Sequence, residues 1–422
     1  MAITDKEKGV WELDQVYNKI NQGDIWEYDA VDPYRLFAWG YFADWAGGTN
    51  DRINRSSPTQ IGTATSWGTI EKGIPYTNFL GGSEMSPTLA LKQDGTLWWW
   101  GENKSGASGT SLAPSTRRSA PTQVGTDTTW RNITQSKGTL LATKTDGTLW
   151  TWGRNNEGEL GNRATADRSS PIQVGTDTTW TTGFASDSYA MFAVKTDGTL
   201  WSWGDNERGI LAHNNHTQYS SPTQVGTDTT WTTGGSCTAN NVARFIKSDG
   251  TLWTWGGNSQ GCLGLNQGDS VQPRSSPTQV GTDTTWKSSY GTAVNGNAQM
   301  GLAVKTDGTL WSWGYNRGGT LGQNTEGAAI PASSPMQIGT DTNWDTCKIV
   351  IAGGCLATKT DGTAWAWGIN YAGQLGLNQS GNPYANYDAA PKYSSPTQIP
   401  GTDWGVITGN YSRQTFGIKV GT

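Results

Sequence analysis

Short runs of alternating apolar and polar residues recur along this chain, and many end in a tryptophan–glycine pair. In LATKTDGTLWTWG (141–153) the side chains of each run fall alternately on two faces, and an Asp-Gly pair separates the runs. Asp-Gly favours a tight hairpin turn, because that turn needs positive φ at the glycine. Thr, Val, Trp and Ile suit a half-buried pleated surface. The pattern therefore predicts antiparallel strands rather than helices, which would space apolar residues at i, i+3 and i+4.

One phrase is repeated seven times. Six copies contain the Asp-Gly pair and the first retains only its end; they are DGTLWWWGEN (94–103), DGTLWTWGRN (146–155), DGTLWSWGDN (197–206), DGTLWTWGGN (249–258), DGTLWSWGYN (307–316), DGTAWAWGIN (361–370) and LFAWG (36–40). The glycines of successive Trp-Gly pairs are 61, 52, 51, 52, 58 and 54 residues apart. Units of that length built from several short strands predict the blades of a propeller.

The two ends of the chain predict a closed ring. The repeats begin at residues 34–40 without the strand that precedes DGTLW in the other copies, and QTFGIKVGT (414–422) matches that strand as it occurs in AMFAVKTDG (190–198). Pairing between the two ends removes the open edges of the array. We predict an all-β fold, a seven-bladed β-propeller over residues 35–422 in which N- and C-terminal strands share one blade.

Tryptophan is concentrated at repeat positions. Of the 24 tryptophans, all but four stand before the Trp-Gly glycine, two residues earlier, or at the end of a second phrase such as SSPTQVGTDTTW (220–231). A residue that recurs in every copy is more typical of packing between blades than of a ligand surface, so we predict a tryptophan core. The alternative is a stacking surface for carbohydrate or bases.

Composition and charge exclude several classes of function. A net charge of −5 argues against a general phosphate-binding surface, so no nucleic-acid partner is expected. No apolar run is long enough to span a membrane, and the N-terminus lacks the apolar region of a secretory signal. The four cysteines form no CxxC pair and are expected to be reduced and packed. His213 and His216, the only histidines, share one loop, so no catalytic site, cofactor or metal is expected.

The first 34 residues lie outside the repeat and predict a short helical extension. Thr4 and Glu7 have the spacing of a capping box, and Gly23 is a plausible C-terminal cap. Such a helix is too short to fold alone and must pack on its own propeller or on another chain. Residues 1–34 are therefore a candidate anchoring or oligomerisation segment. Its candidate anchoring residues are Trp11, Leu13, Val16, Tyr17 and Ile20.

Partner contacts are expected where the copies differ. The longest variable loop, 369–393, carries several tyrosines, and the insertion 68–86 interrupts the second copy. Tyrosine on loops is typical of contact surfaces. The alternative is that both loops only cover blade edges. The candidate contact residues are Tyr371, Tyr384, Tyr387 and Tyr393, together with Trp45 and Trp99 as possible exposed aromatics for a glycan.

Three segments resemble the signature of the regulator of chromosome condensation repeat family: WGINYAGQLGLNQ (367–379), WGGNSQGCLGLNQ (255–267) and WGYNRGGTLGQN (313–324). Copies one, two and four depart from it at the GxLG turn. The resemblance covers about residues 36–422 and implies a seven-bladed propeller. It leaves function open, because such repeats serve nucleotide exchange on a small GTPase, chromatin docking, ubiquitin-ligase scaffolds and enzyme inhibition.

A second resemblance concerns the N-terminus. VWELDQVYNKINQGDIWEYD (10–29), followed at once by the repeats, looks like the start of virion structural proteins of tailed phages from aquatic bacteria. It implies a non-enzymatic virion structural or appendage protein, located in the virion. Residues 1–34 would anchor it to other virion proteins or to copies of itself, and the propeller would contact a host-surface protein or glycan. The alternatives are a cytoplasmic propeller regulator that binds a protein such as a small GTPase, and a glycan-binding lectin.

Overall fold

The computed structural model describes most of the repeat region. The described residues are 34–42, 47–68, 79–80, 87–186, 188–238, 241–268, 273–289, 300–326, 332–350, 353–379, 389–409 and 413–420. The predicted N-terminal helix with Trp11, Leu13, Val16, Tyr17 and Ile20 lies outside them, as do Trp45, Tyr384, Tyr387 and most of the insertion 68–86. The division of the chain at residue 34 therefore stays a prediction.

The described strands form seven four-stranded antiparallel sheets, the blades of a propeller. Blade 1 contains β1 (Arg35–Gly40) and β2 (Arg55–Gln60), joined by two strands from the end of the chain. Blade 2 contains β3 (Phe79–Leu80), β4 (Pro87–Leu91), β5 (Leu97–Asn103) and β6 (Thr116–Gln123). Blade 3 contains β7 (Trp130–Ser136), β8 (Thr139–Lys144), β9 (Leu149–Gly153) and β10 (Arg168–Gln173). Blade 4 contains β11 (Trp180–Ala185), β12 (Ala190–Lys195), β13 (Leu200–Gly204) and β14 (Tyr219–Gln224).

The remaining blades follow the same order. Blade 5 contains β15 (Trp231–Thr238), β16 (Val242–Lys247), β17 (Leu252–Gly256) and β18 (Arg274–Gln279). Blade 6 contains β19 (Trp286–Ser289), β20 (Met300–Lys305), β21 (Leu310–Gly314) and β22 (Ala332–Gln337). Blade 7 contains β23 (Trp344–Val350), β24 (Gly354–Lys359), β25 (Ala364–Ile369) and β26 (Lys392–Ile399). The last strands, β27 (Trp404–Gly409) and β28 (Gln414–Lys419), complete blade 1. Three short 3-10 turns, Lys104–Gly106, Ser259–Gly261 and Arg317–Gly319, follow Trp-Gly strands.

Closure of the ring by the two chain ends is confirmed. In blade 1 the strand order is β2-β1-β28-β27, and β28 pairs with β1 from Arg35↔Lys419 to Gly40↔Gln414. The first strands of adjacent blades contact one another, as β7 contacts β11 and β23 contacts β27, which places them innermost. The fourth strands are outermost, and proline within motifs such as RSSPTQ removes a backbone donor from each exposed edge.

The Asp-Gly turns fold as predicted. In blade 3 the Asp146 carboxylate accepts hydrogen bonds from the Thr148 backbone N–H (2.9 Å) and hydroxyl (2.6 Å). The Thr148 hydroxyl in turn accepts the Trp150 indole N–H at 2.8 Å. Gly147 has φ 78°, and a Cβ there would lie 2.0 Å from the Thr178 carbonyl oxygen. The Asp, Gly, Thr and Trp of the repeated phrase are thus one local hydrogen-bonded unit.

The tryptophan of each Trp-Gly pair joins neighbouring blades, which confirms the predicted core. All seven are fully buried: Trp39, Trp100, Trp152, Trp203, Trp255, Trp313 and Trp367. Six donate the indole N–H to a backbone carbonyl of the preceding blade, as Trp203 does to Glu159 at 2.7 Å and Trp152 to Ala107 at 2.9 Å. The set therefore ties the ring together by burial and by directional bonds.

The copies that depart from the GxLG signature still make the same contact between blades. A residue in left-handed conformation after each of these turns donates its backbone N–H to a serine carbonyl of the next outer strand, over 2.7–3.0 Å. The seven residues are Asn50, Ser111, Arg163, Asn214, Asn266, Asn324 and Asn378. The backbone, rather than the GxLG side chains, therefore carries this contact.

Candidate partner-binding face

The two ends of the blades form different faces. The residue after the Trp-Gly glycine donates its backbone N–H to the tip of the hairpin between the first two strands, as Arg154 does to Gly138 (2.9 Å) and Asp205 to Tyr189 (3.1 Å). We call this end the WG face; it includes the hairpin tips and the loops from each Trp-Gly pair to the outer strand. The opposite end, with the Asp-Gly turns and the GTDTTW connections, is the DG face.

The DG face carries a repeated cluster of lysine, aspartate and two tryptophans. In blade 4 the Lys195 ammonium lies 2.6 Å from Asp177, 4.0 Å from the Trp201 ring centre and 4.7 Å from that of Trp180. Other blades have the ion pairs Lys144–Asp127, Lys247–Asp228, Lys305–Asp283 and Lys359–Asp341. Recurrence in so many blades marks these clusters as structural.

This cluster predicts a loss of stability in acid. The hydrogen bonds that Lys195 and Thr179 give to Asp177 lower the pKa of its carboxyl from 3.8 to about 2. A carboxyl whose pKa is lower in the folded state stabilises the fold above its unfolded pKa, and that contribution is lost as the pH falls from about 4 towards 2. We expect Asp177→Asn to lower the urea midpoint at pH 7 while flattening its decline between pH 4 and 2. Lys195→Met should flatten the same interval, and an unchanged decline in both variants would contradict the assignment.

On the WG face the blades differ in charge. Arg154 forms an ion pair with Glu159 at 2.6 Å and lies 3.8 Å over the Tyr189 ring centre of the next blade. Glu159 is fully buried, and burial raises the pKa of its carboxyl. In blade 7 the equivalent residue is Gln374, whose amide donates to the Ile369 carbonyl at 3.0 Å. The same backbone thus presents a charged pair in one blade and neutral groups in another.

A second cation–aromatic pair bridges blades 7 and 1. The Arg413 guanidinium lies 4.6 Å from the Tyr371 ring centre. Arg413 and Tyr189 occupy equivalent hairpin tips with φ 60° and 64°, where blades 3 and 7 have Gly138 and Gly353. Large side chains in this conformation are strained, and such strain is commonly retained at functional sites. Both tips are therefore candidates for partner contact.

Arginine is concentrated on the WG face. Of the 14 arginines in the chain, 11 lie there: Arg52, Arg55, Arg117, Arg118, Arg154, Arg163, Arg168, Arg208, Arg274, Arg317 and Arg413. The described acidic residues of this face are Asp51, Glu102, Glu157, Glu159, Asp167, Asp205, Glu207 and Glu326. Asp44, Glu84, Asp187, Asp269 and Asp388 lie outside the described residues and do not enter this comparison. Arg118, Arg163, Arg168 and Arg208 are exposed.

Among the described residues, the DG face has more aspartates than lysines. It carries the repeated aspartates Asp94, Asp127, Asp146, Asp177, Asp197, Asp228, Asp249, Asp283, Asp307, Asp341, Asp361 and Asp403. The repeated lysines are Lys92, Lys144, Lys195, Lys247, Lys305, Lys359 and Lys419. Among the described residues, arginine is therefore concentrated on the WG face and aspartate on the DG face.

The residues proposed from sequence for partner contact have different outcomes. Tyr371 and Tyr393 lie on the WG face, where the Tyr393 hydroxyl donates to Gln379 at 2.6 Å. The prediction that Trp99 is an exposed aromatic was wrong. Its ring is fully buried in a cluster with Trp130 and Trp152, because the neighbouring blade covers that face of the sheet. Trp45, Tyr384 and Tyr387 lie outside the described residues.

Sequence reasoning missed Tyr189 and Arg413 as candidate contacts. The sequence does differ between copies at the hairpin tip, which is glycine in two copies and Tyr, Asn or Arg in three others. That difference could have indicated these residues.

The histidines do not form a catalytic arrangement. His213 lies 3.0 Å from the Ser202 hydroxyl, but that hydroxyl is buried and donates to the Leu211 carbonyl at 2.7 Å. Ser312 makes the same bond to Leu321 without a histidine, so the serine role is structural. Burial lowers the pKa of His213. The four cysteines are buried without disulfides, as expected.

Neither a metal-binding cluster nor a membrane-spanning helix is present among the described residues. They contain no cluster of three or more His, Cys, Asp or Glu side chains suited to a metal ion. No helix in the described part of the chain has the length and hydropathy needed to cross a membrane.

Comparison with known proteins supports the fold. Residues 146–192, 197–237, 249–289 and 307–355 match the regulator of chromosome condensation (RCC1) repeat. The structure is similar to that of Prp20p from Saccharomyces cerevisiae, with a TM-score of 0.74 and 18% identity over 93% of both chains. The sequence is 25% identical to the ultraviolet-B receptor UVR8 of Arabidopsis thaliana over 355 residues, 81% of this chain and 74% of that protein. It is 30% identical to human RCC2 over 146 residues, 34% of this chain and 26% of that protein.

These relatives come from cellular organisms, and none supports a role in a virion. That interpretation rests on residues 10–29, which lie outside the described part of the chain, and it stays a prediction. The structure is a seven-bladed β-propeller in which β1 and β2 share one blade with β27 and β28, and four of its seven sequence copies match the RCC1 repeat.

Proposed function

We propose that this chain is a non-enzymatic protein-binding propeller whose WG face binds an acidic surface of a protein partner. The observation that carries the proposal is the concentration of arginine on that face, opposite a DG face built from repeated aspartates. Arginine and tyrosine are enriched at protein interfaces, where they supply much of the binding energy. Prp20p, which has the same fold, binds Gsp1p and histones, so a propeller of this form can bind other proteins.

The two cation–aromatic pairs would be the centre of this contact. Arg154 is already held by Glu159 and Tyr189, and Arg413 lies against Tyr371, so these side chains lose little freedom on binding. The exposed Arg163 and Arg208 lie on the same blades as Arg154 and Tyr189 and would steer an acidic partner towards them.

Site-specific crosslinking tests the proposal in cells that express the chain. A photoreactive phenylalanine analogue is placed at Tyr189 or Tyr371 on the WG face, and at the exposed Thr402 on the DG face as the control. We expect both WG-face positions to capture the same protein and Thr402 to capture none of it. Capture should weaken at least tenfold in the Arg163→Glu/Arg208→Glu double variant and persist in Thr128→Glu/Thr178→Glu, which adds acid to the DG face.

Three outcomes would contradict the proposal. The first is preferential capture from Thr402, which would move binding to the DG face. The second is capture that the arginine reversals leave unchanged. Capture of nucleic acid instead of protein at Tyr189 would also contradict it, since the arginine face would then serve a different class of partner.

A further inference from the structure

Blade 5 carries an arginine at a buried strand position that is apolar in every other blade. Arg244 lies in the middle of β16 and is 1% exposed. The residues at the equivalent position are Leu89, Leu141, Phe192, Leu302, Leu356 and Phe416, all fully buried or nearly so. The repeat itself therefore does not require a cation here.

Only one of the three nitrogen atoms of the Arg244 guanidinium has a hydrogen-bond acceptor among the described residues. Nη2 donates to the Cys262 carbonyl at 2.7 Å, and the same carbonyl accepts the Trp313 indole N–H at 3.0 Å. No acceptor among the described residues lies within hydrogen-bonding distance of Nε or Nη1. Buried donors in proteins are nearly always paired, and those of a charged group lose most when they are not.

A third unpaired polar atom lies on the same face of this strand pair. Thr254 stands directly opposite Arg244 in the β16–β17 register, so the two side chains are neighbours. Its buried hydroxyl has no partner among the described residues, whereas the equivalent Thr151 and Ser312 donate to the carbonyls of Leu160 and Leu321. Arginine and threonine thus present three donor atoms, Nε and Nη1 of Arg244 and the Thr254 hydroxyl, that no described residue uses.

Nothing in the described part of the chain neutralises the arginine. The titratable groups that act on it are the thiols of Cys237 and Cys262, not carboxylates. Burial raises the pKa of the Cys237 thiol well above its ordinary value, so this thiol stays protonated, and the Cys262 thiol donates to the Gly257 carbonyl at 3.4 Å. Burial also lowers the pKa of Arg244, but a guanidinium keeps its proton in proteins. An isolated buried cation costs several kcal/mol, so a counter-charge is strongly favoured.

We propose that the Arg244 guanidinium and the Thr254 hydroxyl bind a small monovalent inorganic anion, of the size of chloride, within blade 5. N–H and O–H donors converging from two strands supply the ligands that a halide takes in proteins. The near-complete burial of Arg244 excludes a partner's side chain or a polyanion. The bound anion stabilises the junction of blades 5 and 6, where Trp313 of blade 6 shares the Cys262 carbonyl with Arg244.

Halide dependence of the full-length protein tests this site. Thermal unfolding is followed in sodium chloride and in sodium gluconate at equal ionic strength. Because a ligand that binds only the folded state raises its stability, we expect a saturable rise in Tm of about 2 °C specific to chloride. Arg244→Leu, which restores the residue of four other blades, should abolish the chloride-specific rise; Leu302→Met, at the equivalent position in blade 6, should retain it.

A crystal grown in sodium bromide gives the direct readout. We expect an anomalous peak within hydrogen-bonding distance of Nε or Nη1 of Arg244 and near the Thr254 hydroxyl. If Arg244→Leu does not fold, Thr254→Val keeps the cation and should weaken the chloride effect at least threefold. Electron density for water without an anomalous peak, or equal Tm values in chloride and gluconate for the unsubstituted chain, would overturn the proposal.

Discussion

Removing residues 414–422 is expected to abolish the cooperative unfolding of the whole ring. The lost strand, β28, is hydrogen-bonded on both sides, to β1 and to β27. It also buries Phe416 and Ile418, and the Thr415 hydroxyl donates to the Gln374 carbonyl of blade 7 at 2.6 Å. Burial of each such apolar side chain is worth about 1.5–3 kcal/mol. With two strand pairings lost as well, the total rivals the roughly 5–15 kcal/mol by which a domain is stable.

Hydrogen exchange and thermal unfolding measure this effect. The truncated chain should exchange rapidly in β1 and β27 and should melt at least 15 °C lower or without a single transition. A synthetic peptide of residues 414–422 added in trans should restore protection of β1. Removal of residues 421–422 alone is the matched control, because it leaves Gln414–Lys419 intact. A truncated chain that melts within 2 °C of the full chain would show that the ring does not depend on the shared blade.

The fold could be predicted because the same local sequence signals occur in nearly every copy of the repeat. An Asp-Gly pair in one place is a weak signal, but six copies flanked by the same alternating strands leave little freedom. The sequence match between 414–422 and 190–198 then predicted that the ring is closed by the two ends of the chain. The departures from GxLG did not alter the fold, since the hydrogen bond to the outer strand of the next blade is donated by a backbone N–H, such as that of Ser111 or Asn214.

The candidate site was predictable only in part, because its contacts join different copies. Arg154 contacts Tyr189, and Arg413 contacts Tyr371. The two residues of each pair lie in different blades, and the period of the repeat does not show which side chains of adjacent blades come together. The error at Trp99 has a related cause. Alternation correctly separates Trp99 from Trp98 and Trp100, but a blade is covered by neighbours on both faces, so the second face is buried as well. Periodicity distinguishes the two faces of a strand and does not show which of them reaches solvent.

Trp203 connects the fold to the candidate site, and its replacement is expected to be the most destabilising single substitution among those considered. The ring is fully buried against Leu141, Val174 and Met191, and its N–H donates at 2.7 Å to the carbonyl of Glu159, the residue that holds Arg154. Trp203→Ala should cost about 3–5 kcal/mol, because a large aromatic is lost from a core that cannot collapse around it. Trp203→Phe leaves the Glu159 carbonyl without its buried donor, which adds about 1–3 kcal/mol to the loss of packing.

The neighbouring Trp201 provides the matched control two residues away. Its ring is half-buried, its N–H stays within its own blade as a donor to the Thr199 hydroxyl at 2.9 Å, and Lys195 lies over one face. Trp201→Phe should therefore cost less than about 1.5 kcal/mol in urea unfolding, since a ring remains over the lysine and no bond between blades is broken. Trp203→Phe, but not Trp201→Phe, should also weaken partner capture at position 189, because Glu159 then shifts and with it Arg154. Equal destabilisation by the two phenylalanine variants would show that the bonds between blades add nothing beyond aromatic burial.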